Sequence, residues 1–100
     1  MAVVFLTITP IGTATPSVSR YVAGVERILR ASGLSHQLTA MGTIVEGDLG
    51  EILAVVREMH EHPFTQGAVR VSTLIKIDDR RDKEHTIAGK MRSVEEKLKG

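Results

Sequence analysis

The sequence has no cysteine among its 100 residues. Disulfide frameworks, thiolate zinc sites, iron–sulfur clusters and cysteine nucleophiles are therefore excluded. Aromatic residues make up only 3% of the chain, whereas a base-stacking surface needs two or three of them on one face. The formal net charge of +1 provides no basic footprint for a phosphate backbone. We therefore expect no nucleic-acid partner.

Long hydrophobic runs are also absent. No window approaches the roughly 20 apolar residues of a membrane span, and the apolar segment Ala2–Thr9 lacks the basic leader of a signal peptide. These features predict a cytoplasmic protein with no membrane partner. The hydrophobic fraction of 42% is ordinary for a globular protein, and the length suits one domain, so we expect residues 1–100 to form a single domain.

The first third of the chain predicts a strand followed by a helix. Ala2–Thr9 is β-branched and almost continuously apolar, which is typical of a strand inside a sheet. Thr15-Pro16 then provides a hydroxyl and a proline suited to a helix start, and Gly33 suits its C-cap. The helix between them has apolar residues at spacings of three and four: Val18, Tyr21, Val22, Val25, Ile28 and Leu29.

The remainder predicts three strands and two helices. Leu34–Met41 and Thr43–Gly47 have the composition of short strands. Asp48 begins a second helix as a capping residue, and Pro63 is expected to stop it. Ala68–Ile77 predicts the last strand. A charged turn then precedes a C-terminal helix whose apolar positions are Ile87, Met91, Val94 and Leu98.

This order, β-α-β-β-α-β followed by an additional helix, indicates an α+β fold. Two right-handed β-α-β crossovers folded together produce the ferredoxin-like sandwich, with helices on one face of a four-stranded antiparallel sheet. We therefore predict this sandwich with an extra C-terminal helix.

The sheet face away from the two long helices is predicted to be mixed in polarity. Strand alternation assigns to it Phe5, Thr7, Thr9, Arg70, Ser72, Leu74 and Lys76, with either Gln37, Thr39 and Met41 or His36, Leu38 and Ala40. Such a face is too apolar for plain solvent surface and too polar for a core. Two compatible interpretations follow, packing between subunits of a homo-oligomer and a pocket lined by hydroxyl groups.

No catalytic or metal-binding motif emerges. His60-Glu61-His62 lacks the spacing of a zinc protease, and the glycines form no phosphate loop, so we expect no metal, no cofactor and no catalytic residue. Glu46 interrupts an otherwise uncharged strand, either as a solvated edge residue or as a partner for a cationic or amino-bearing ligand. Arg70 and Lys76 admit the same two interpretations.

Three segments carry a resemblance to a known family: Met41–Gly47, Gly67–Thr73 and Ile75–Lys83. With the opening Ile8-x-Pro10-x-Gly12, they resemble the thiamine-binding-protein-like family of small cytoplasmic proteins. The resemblance implies a ferredoxin-like fold with an added helix, and dimers that form by sheet packing and pair into tetramers. It also implies a site for thiamine or its hydroxymethylpyrimidine half, and no enzyme active site.

An aminopyrimidine has a flat face, ring nitrogens that accept hydrogen bonds and an exocyclic amine that donates them. Its pocket needs apolar walls with a few donors and acceptors. Gly42 would let such a ligand approach the backbone, and Glu46 would offset the positive thiazolium of thiamine. From chemistry and position, the candidate binding residues are Thr7, Thr9, Ser19, Tyr21, Met41, Gly42, Thr43 and Glu46.

Two other function classes stay open at this point. Metabolite-sensing regulatory modules of the amino-acid-effector type share the β-α-β-β-α-β order, although they usually accompany a second domain. A small dimeric α+β-barrel enzyme would need a convergent acid–base pair such as His60 with Glu46.

Overall fold

Strands and helices alternate along the chain in the predicted order. The structure, a computed structural model, describes residues 1–12, 19–82 and 87–99. The elements are β1 (Ala2–Pro10), α1 (Ser19–Ser32), β2 (Ser35–Leu38), β3 (Thr43–Gly47), α2 (Leu49–Thr65), β4 (Val71–Asp79) and α3 (Ile87–Lys99). The predicted start of α1 at Thr15-Pro16 lies outside the described residues.

The four strands form one antiparallel sheet in the order β2-β3-β1-β4. Leu6 of β1 is opposite Thr43 of β3 on one side and Ile75 of β4 on the other. The predicted ferredoxin-like α+β sandwich with an additional C-terminal helix is therefore confirmed. Among the described helices, none is long and apolar enough to cross a membrane.

The core lies between the sheet and helices α1 and α2. Alternation along β1 directs every second side chain toward the helices, as the apolar pattern predicts. Helix α2 begins at Asp48, whose Oδ2 accepts a hydrogen bond from the Glu51 amide at 3.1 Å. The buried cluster comprises Ala2, Val4, Leu6, Leu29, Val45, Ile52, Val56 and Met59.

Several element boundaries differ from the sequence-based expectation. Strand β2 ends at Leu38 because the next residue, Thr39, closes the hairpin turn through its side chain. Helix α2 runs past Pro63 to Thr65, since a proline in the last turn removes only one internal hydrogen bond. Ala68 belongs to the turn that follows, its amide donating to the Pro63 carbonyl at 3.0 Å, so β4 begins later than predicted.

Candidate functional site

A cleft of about 440 Å³ opens at one end of the sheet, between β1, the β2–β3 hairpin and α1. It exists because the strands differ in length. The β1–β3 ladder ends at Leu6 and Thr43, while β1 continues beside β4 as far as Pro10. The cleft walls are mainly aliphatic, and the lining residues are Leu6, Thr7, Ile8, Thr9, Pro10, Val22, Val25, Glu26, Leu38, Thr39, Ala40, Met41, Gly42 and Thr43.

The hairpin turn beside the cleft is held by Thr39. Its Oγ1 donates to the Gly42 carbonyl at 2.8 Å and accepts from the amides of Met41 and Gly42 at 3.2 and 3.1 Å. A Cβ on Gly42 would lie 2.6 Å from the Phe5 ring and 2.8 Å from the Leu6 carbonyl oxygen. Glycine is therefore required here for the turn to pack against β1. Met41, the residue before it, is exposed at the rim of the cleft.

The acid in the cleft is Glu26 of α1, whose side chain is only 16% exposed. Its Oε1 lies 3.1 Å from His36 Nε2 and 3.4 Å from Arg30 Nε. His36 Nδ1 lies 2.9 Å from the Leu34 carbonyl, so both ring nitrogens face oxygen acceptors. Both contacts to Glu26 use Oε1, and Oε2 accepts no hydrogen bond from residues 1–12, 19–82 or 87–99. Because Glu26 lines the cleft, its carboxylate can pair with a cation or an amine bound there.

Thr43 is the buried polar residue of the cleft. Thr43 is 8% exposed. Because it lies opposite Leu6 in the sheet, its side chain points to the same face as that of Leu6, toward the helices. Its hydroxyl makes no hydrogen bond with another residue of the described part. Buried hydroxyl groups nearly always have a partner, because leaving one unpaired carries a desolvation penalty. A hydroxyl without a protein partner on a cleft wall is free to hydrogen-bond a ligand or a water molecule in the cleft.

The structure brings together five of the eight predicted binding residues. Thr7, Thr9, Met41, Gly42 and Thr43 line the cleft. The first two border it along the edge of β1, where β3 no longer flanks that strand.

The other three predicted residues lie elsewhere or outside the description. Tyr21 is buried in α1 and does not line the cleft. Ser19 is the first residue of α1, and its side chain lies outside the described part. Glu46 is opposite Val3 on the outer face of the sheet, where its Oε1 accepts from Ser35 Oγ at 2.9 Å.

Sequence reasoning missed Glu26 and its apolar neighbours Val22, Val25 and Leu38. A usable signal was present, since Glu26 is an acid inside the apolar stripe of α1, directly after Val25. The missing information was the hairpin position, which decides that this side of α1 faces a cleft.

The outer sheet face is partly covered by α3. Lys90 Nζ donates to Asp78 Oδ2 at 2.6 Å, and Met91 lies beside a shallow pocket of about 210 Å³ lined also by Val3, Phe5, Ile44 and Lys76. Beyond this corner the face stays open, since Leu74 is 61% exposed. The apolar residues Val94 and Leu98 of α3 are likewise exposed.

The acid–base pair required by the enzyme alternative is not assembled in one monomer. His60 Nδ1 lies 2.6 Å from Thr73 Oγ1 on the helix side of the sheet, whereas Glu46 is on the outer face. Within the described ranges, no group of three or more His, Cys, Asp or Glu side chains is arranged to hold a metal ion.

Comparison with known proteins identifies the family. Residues 4–95 match the family described as thiamine-binding protein. The chain belongs to this family. The resemblance carried by its motifs is thereby confirmed, over nearly the whole length of the chain.

Relatives of the thiamine-binding protein family share both sequence and fold with this chain. The UPF0045 protein YqgV of Bacillus subtilis (strain 168) is 51% identical over 102 residues, covering 98% of each chain. A UPF0045 protein of Methanothermobacter thermautotrophicus is 39% identical over 94 residues, covering 93% of this chain and 95% of its own. The crystal structure of hypothetical protein MJ1052 from Methanocaldococcus jannaschii matches with a TM-score of 0.85 at 38% identity, over 95% and 96% of the two chains.

A more distant structure matches in fold alone. It is a protein of Thermotoga maritima provisionally assigned to thiamine biosynthesis or salvage, with a TM-score of 0.76 at 20% identity. The match covers 93% of this chain and 97% of the other.

Proposed function

We propose that this protein is a non-catalytic binding protein for thiamine or its hydroxymethylpyrimidine half, and that the cleft between α1 and the β2–β3 hairpin is its site. The family supports a small-molecule ligand of this class. The observation that carries the assignment to this cleft is the buried Thr43 hydroxyl on its wall, which no other residue of the described ranges hydrogen-bonds. The cleft volume of about 440 Å³ lies in the range of small-ligand sites.

The walls suit a flat heterocycle with one charged end. An aromatic ring can pack against the apolar side chains of Val22, Val25 and Leu38, and the Glu26 carboxylate supplies negative charge for a cationic group. Glu26 thus takes the role that the sequence assigned to Glu46, offsetting the thiazolium of thiamine. The free pyrimidine carries no thiazolium, so this contact distinguishes the two ligands.

Isothermal titration with thiamine and with 4-amino-5-hydroxymethyl-2-methylpyrimidine tests the proposal. Glu26→Gln keeps the shape and one acceptor oxygen while removing the charge, so thiamine affinity should fall about five-fold, equivalent to about 1 kcal/mol. Affinity for the uncharged pyrimidine should stay unchanged. Glu46→Gln is the matched control, because Glu46 lies on the opposite face of the sheet.

A clear negative result is available. Binding to the native state must raise its thermal stability. Absence of both heat and a shift in Tm at millimolar concentrations of either compound would refute the proposed ligand class. Recovery of unaltered thiamine by chromatography after long incubation is expected, and conversion to any product would refute the non-catalytic role.

We propose in addition that the protein acts in the cytoplasm as a homo-oligomer, a dimer of dimers built on the outer sheet face and α3. Support comes from the apolar side chains exposed there, Leu74, Met91, Val94 and Leu98. Light scattering after size exclusion should give a tetramer mass. Leu74→Glu should shift it to smaller species, with Leu53→Glu on exposed α2 surface as the control. A monomeric unsubstituted protein would contradict this assembly.

A further inference from the structure

The central strand β1 has one unpaired stretch of edge inside the cleft. Both β1 and β4 contain nine residues, and they pair along their whole length. Strand β3 has five residues, so its ladder with β1 ends at Leu6 opposite Thr43. From Thr7 to Pro10, β1 therefore has a partner strand on one side and the cleft on the other.

The direction of the unpaired groups follows from the register. The Ile11 amide donates to the Arg70 carbonyl at 2.9 Å, which continues the β1–β4 pairing. In antiparallel strands the N–H and C=O of one residue point to the same side, and the side alternates along the strand. Odd-numbered residues of β1 therefore face β4, and the N–H and C=O of Ile8 face the cleft.

Pro10 provides an independent check of this direction. Proline has no N–H to donate and is tolerated in a strand where its nitrogen points away from the ladder. Pro10 lies opposite Val71 of β4, and its even number places its nitrogen on the cleft side. Outside the strand ladders, no hydrogen bond joins the amide or the carbonyl of Ile8 to a residue of the ranges 1–12, 19–82 and 87–99, and the alternation directs both groups away from β4.

We propose that the backbone of Ile8, together with the Thr43 hydroxyl, reads the aminopyrimidine edge of the ligand as though it were one residue of an added strand. The inference rests on the proposed function of this cleft. The exocyclic amine donates to the Ile8 carbonyl, and the adjacent ring nitrogen accepts from the Ile8 amide. This reproduces the pair of hydrogen bonds that two directly opposed strand residues exchange.

Thr43 supplies the third contact. It is the first residue of β3, where the β1–β3 ladder ends, and it lies on the wall of the same cleft. Its hydroxyl can accept the second hydrogen of the exocyclic amine or donate to the neighbouring hydroxymethyl oxygen. The amino-substituted edge of the pyrimidine thus meets one donor, the Ile8 amide, and two acceptors, the Ile8 carbonyl and the Thr43 hydroxyl. The thiazolium end of thiamine contacts none of these groups.

This arrangement selects for an amine beside a ring nitrogen and against an oxo group at the same position. Oxythiamine carries an oxygen in place of the exocyclic amine. This oxygen and the Ile8 carbonyl oxygen are both acceptors, so they would repel each other and form no hydrogen bond. Turning the ring over would restore both hydrogen bonds but would move the side arm to the opposite side. Pyrithiamine keeps the aminopyrimidine and changes only the second ring.

Titration of these compounds, combined with amide exchange, tests the inference. Pyrithiamine should bind within about two-fold of thiamine, and oxythiamine should bind at least about ten-fold more weakly, the effect of losing one contact and leaving a buried acceptor unpaired. In the free protein the Ile8 amide should exchange rapidly with deuterated water, whereas the Leu6 and Thr7 amides, which pair with β3 and β4, should be protected. Saturation with the hydroxymethylpyrimidine should slow exchange at Ile8 by at least about ten-fold and leave Leu6 and Thr7 unchanged.

The failures are distinguishable. If thiamine binds, and either oxythiamine binds equally well or Ile8 exchange is unaffected by the pyrimidine, the inference is overturned while the proposed ligand class stands. If neither thiamine nor the pyrimidine binds, both are overturned.

Discussion

Replacing Thr43 by valine should stabilise the ligand-free protein and weaken its binding of the ligand. The substitution exchanges a hydroxyl for a methyl group of nearly the same shape, on a residue that is 8% exposed and suited to a strand in either form. Since the hydroxyl has no partner within the described residues, valine removes a desolvation penalty and buries additional apolar surface. An unpaired buried polar group costs about 1–3 kcal/mol. The cleft admits some water, so we expect the free energy of unfolding to rise by about 1 kcal/mol.

For a domain of this length, 1 kcal/mol corresponds to a rise in Tm of roughly 4–8 °C. The same substitution should weaken binding of the hydroxymethylpyrimidine by about three- to ten-fold, the net worth of one hydrogen bond. Urea unfolding and isothermal titration, carried out at one fixed protein concentration, measure both effects.

Thr39→Val is the matched control and should change stability in the opposite direction. Its hydroxyl lines the same cleft but forms three hydrogen bonds that hold the hairpin turn. Loss of these contacts should lower the free energy of unfolding by about 1–2 kcal/mol. If Thr43→Val were as destabilising as Thr39→Val, the Thr43 hydroxyl would have a structural partner. If the Thr43→Val protein bound the hydroxymethylpyrimidine as tightly as the unsubstituted protein, Thr43 would not contribute to ligand binding.

Three further predictions concern the scaffold. Asp48→Ala removes the cap that accepts from the Glu51 amide, and chemical unfolding should show a loss of about 1 kcal/mol. Met59→Ala empties a fully buried core position and should cost about 2–5 kcal/mol in the same assay, a smaller loss indicating that the core collapses around the gap. The Arg81 guanidinium hydrogen-bonds Asp79 and lowers the pKa of that carboxyl below its ordinary value. The stabilisation from this pair is therefore complete above the ordinary aspartate pKa, and it is lost as pH falls through the lowered pKa of Asp79. Carbon-13 NMR titration should find this lowered pKa, and Arg81→Gln should raise it toward its ordinary value.

The fold could be predicted because its determinants are local. Alternation in β1 identifies the face that packs against the helices, and the structure places Val4 and Leu6 there, with Ile75 and Ile77 opposite them on β4. Boundaries were less certain where tertiary contacts decide them. Helix α2 continues two residues past Pro63, because the missing proline N–H removes one hydrogen bond and does not by itself end the helix.

The candidate site could be predicted only in part, because it depends on a difference between strand lengths. Chemistry and position in the sequence pointed to hydroxyl-bearing residues near the hairpin, and Thr43 among them lines the cleft. It did not reveal that β3 would stop four residues before the end of β1, or that α1 would bring Glu26 to the gap. The main-chain groups of Ile8 have no sequence signature, since every residue except proline carries the same ones.

The outer sheet face and the cleft between α1 and the β2–β3 hairpin differ in the contacts they lack, and the difference indicates which kind of partner each takes. The outer sheet face exposes aliphatic side chains such as Leu74, so burial of apolar area is what it can gain. The cleft is also lined by aliphatic side chains, but it has in addition an amide, a carbonyl and a hydroxyl that no other described residue hydrogen-bonds. Only a ligand rich in nitrogen and oxygen can satisfy these groups, because an apolar one would leave them desolvated without partners. Subunit association and heterocycle binding are therefore expected to occupy different surfaces, and a substitution that removes one should leave the other intact.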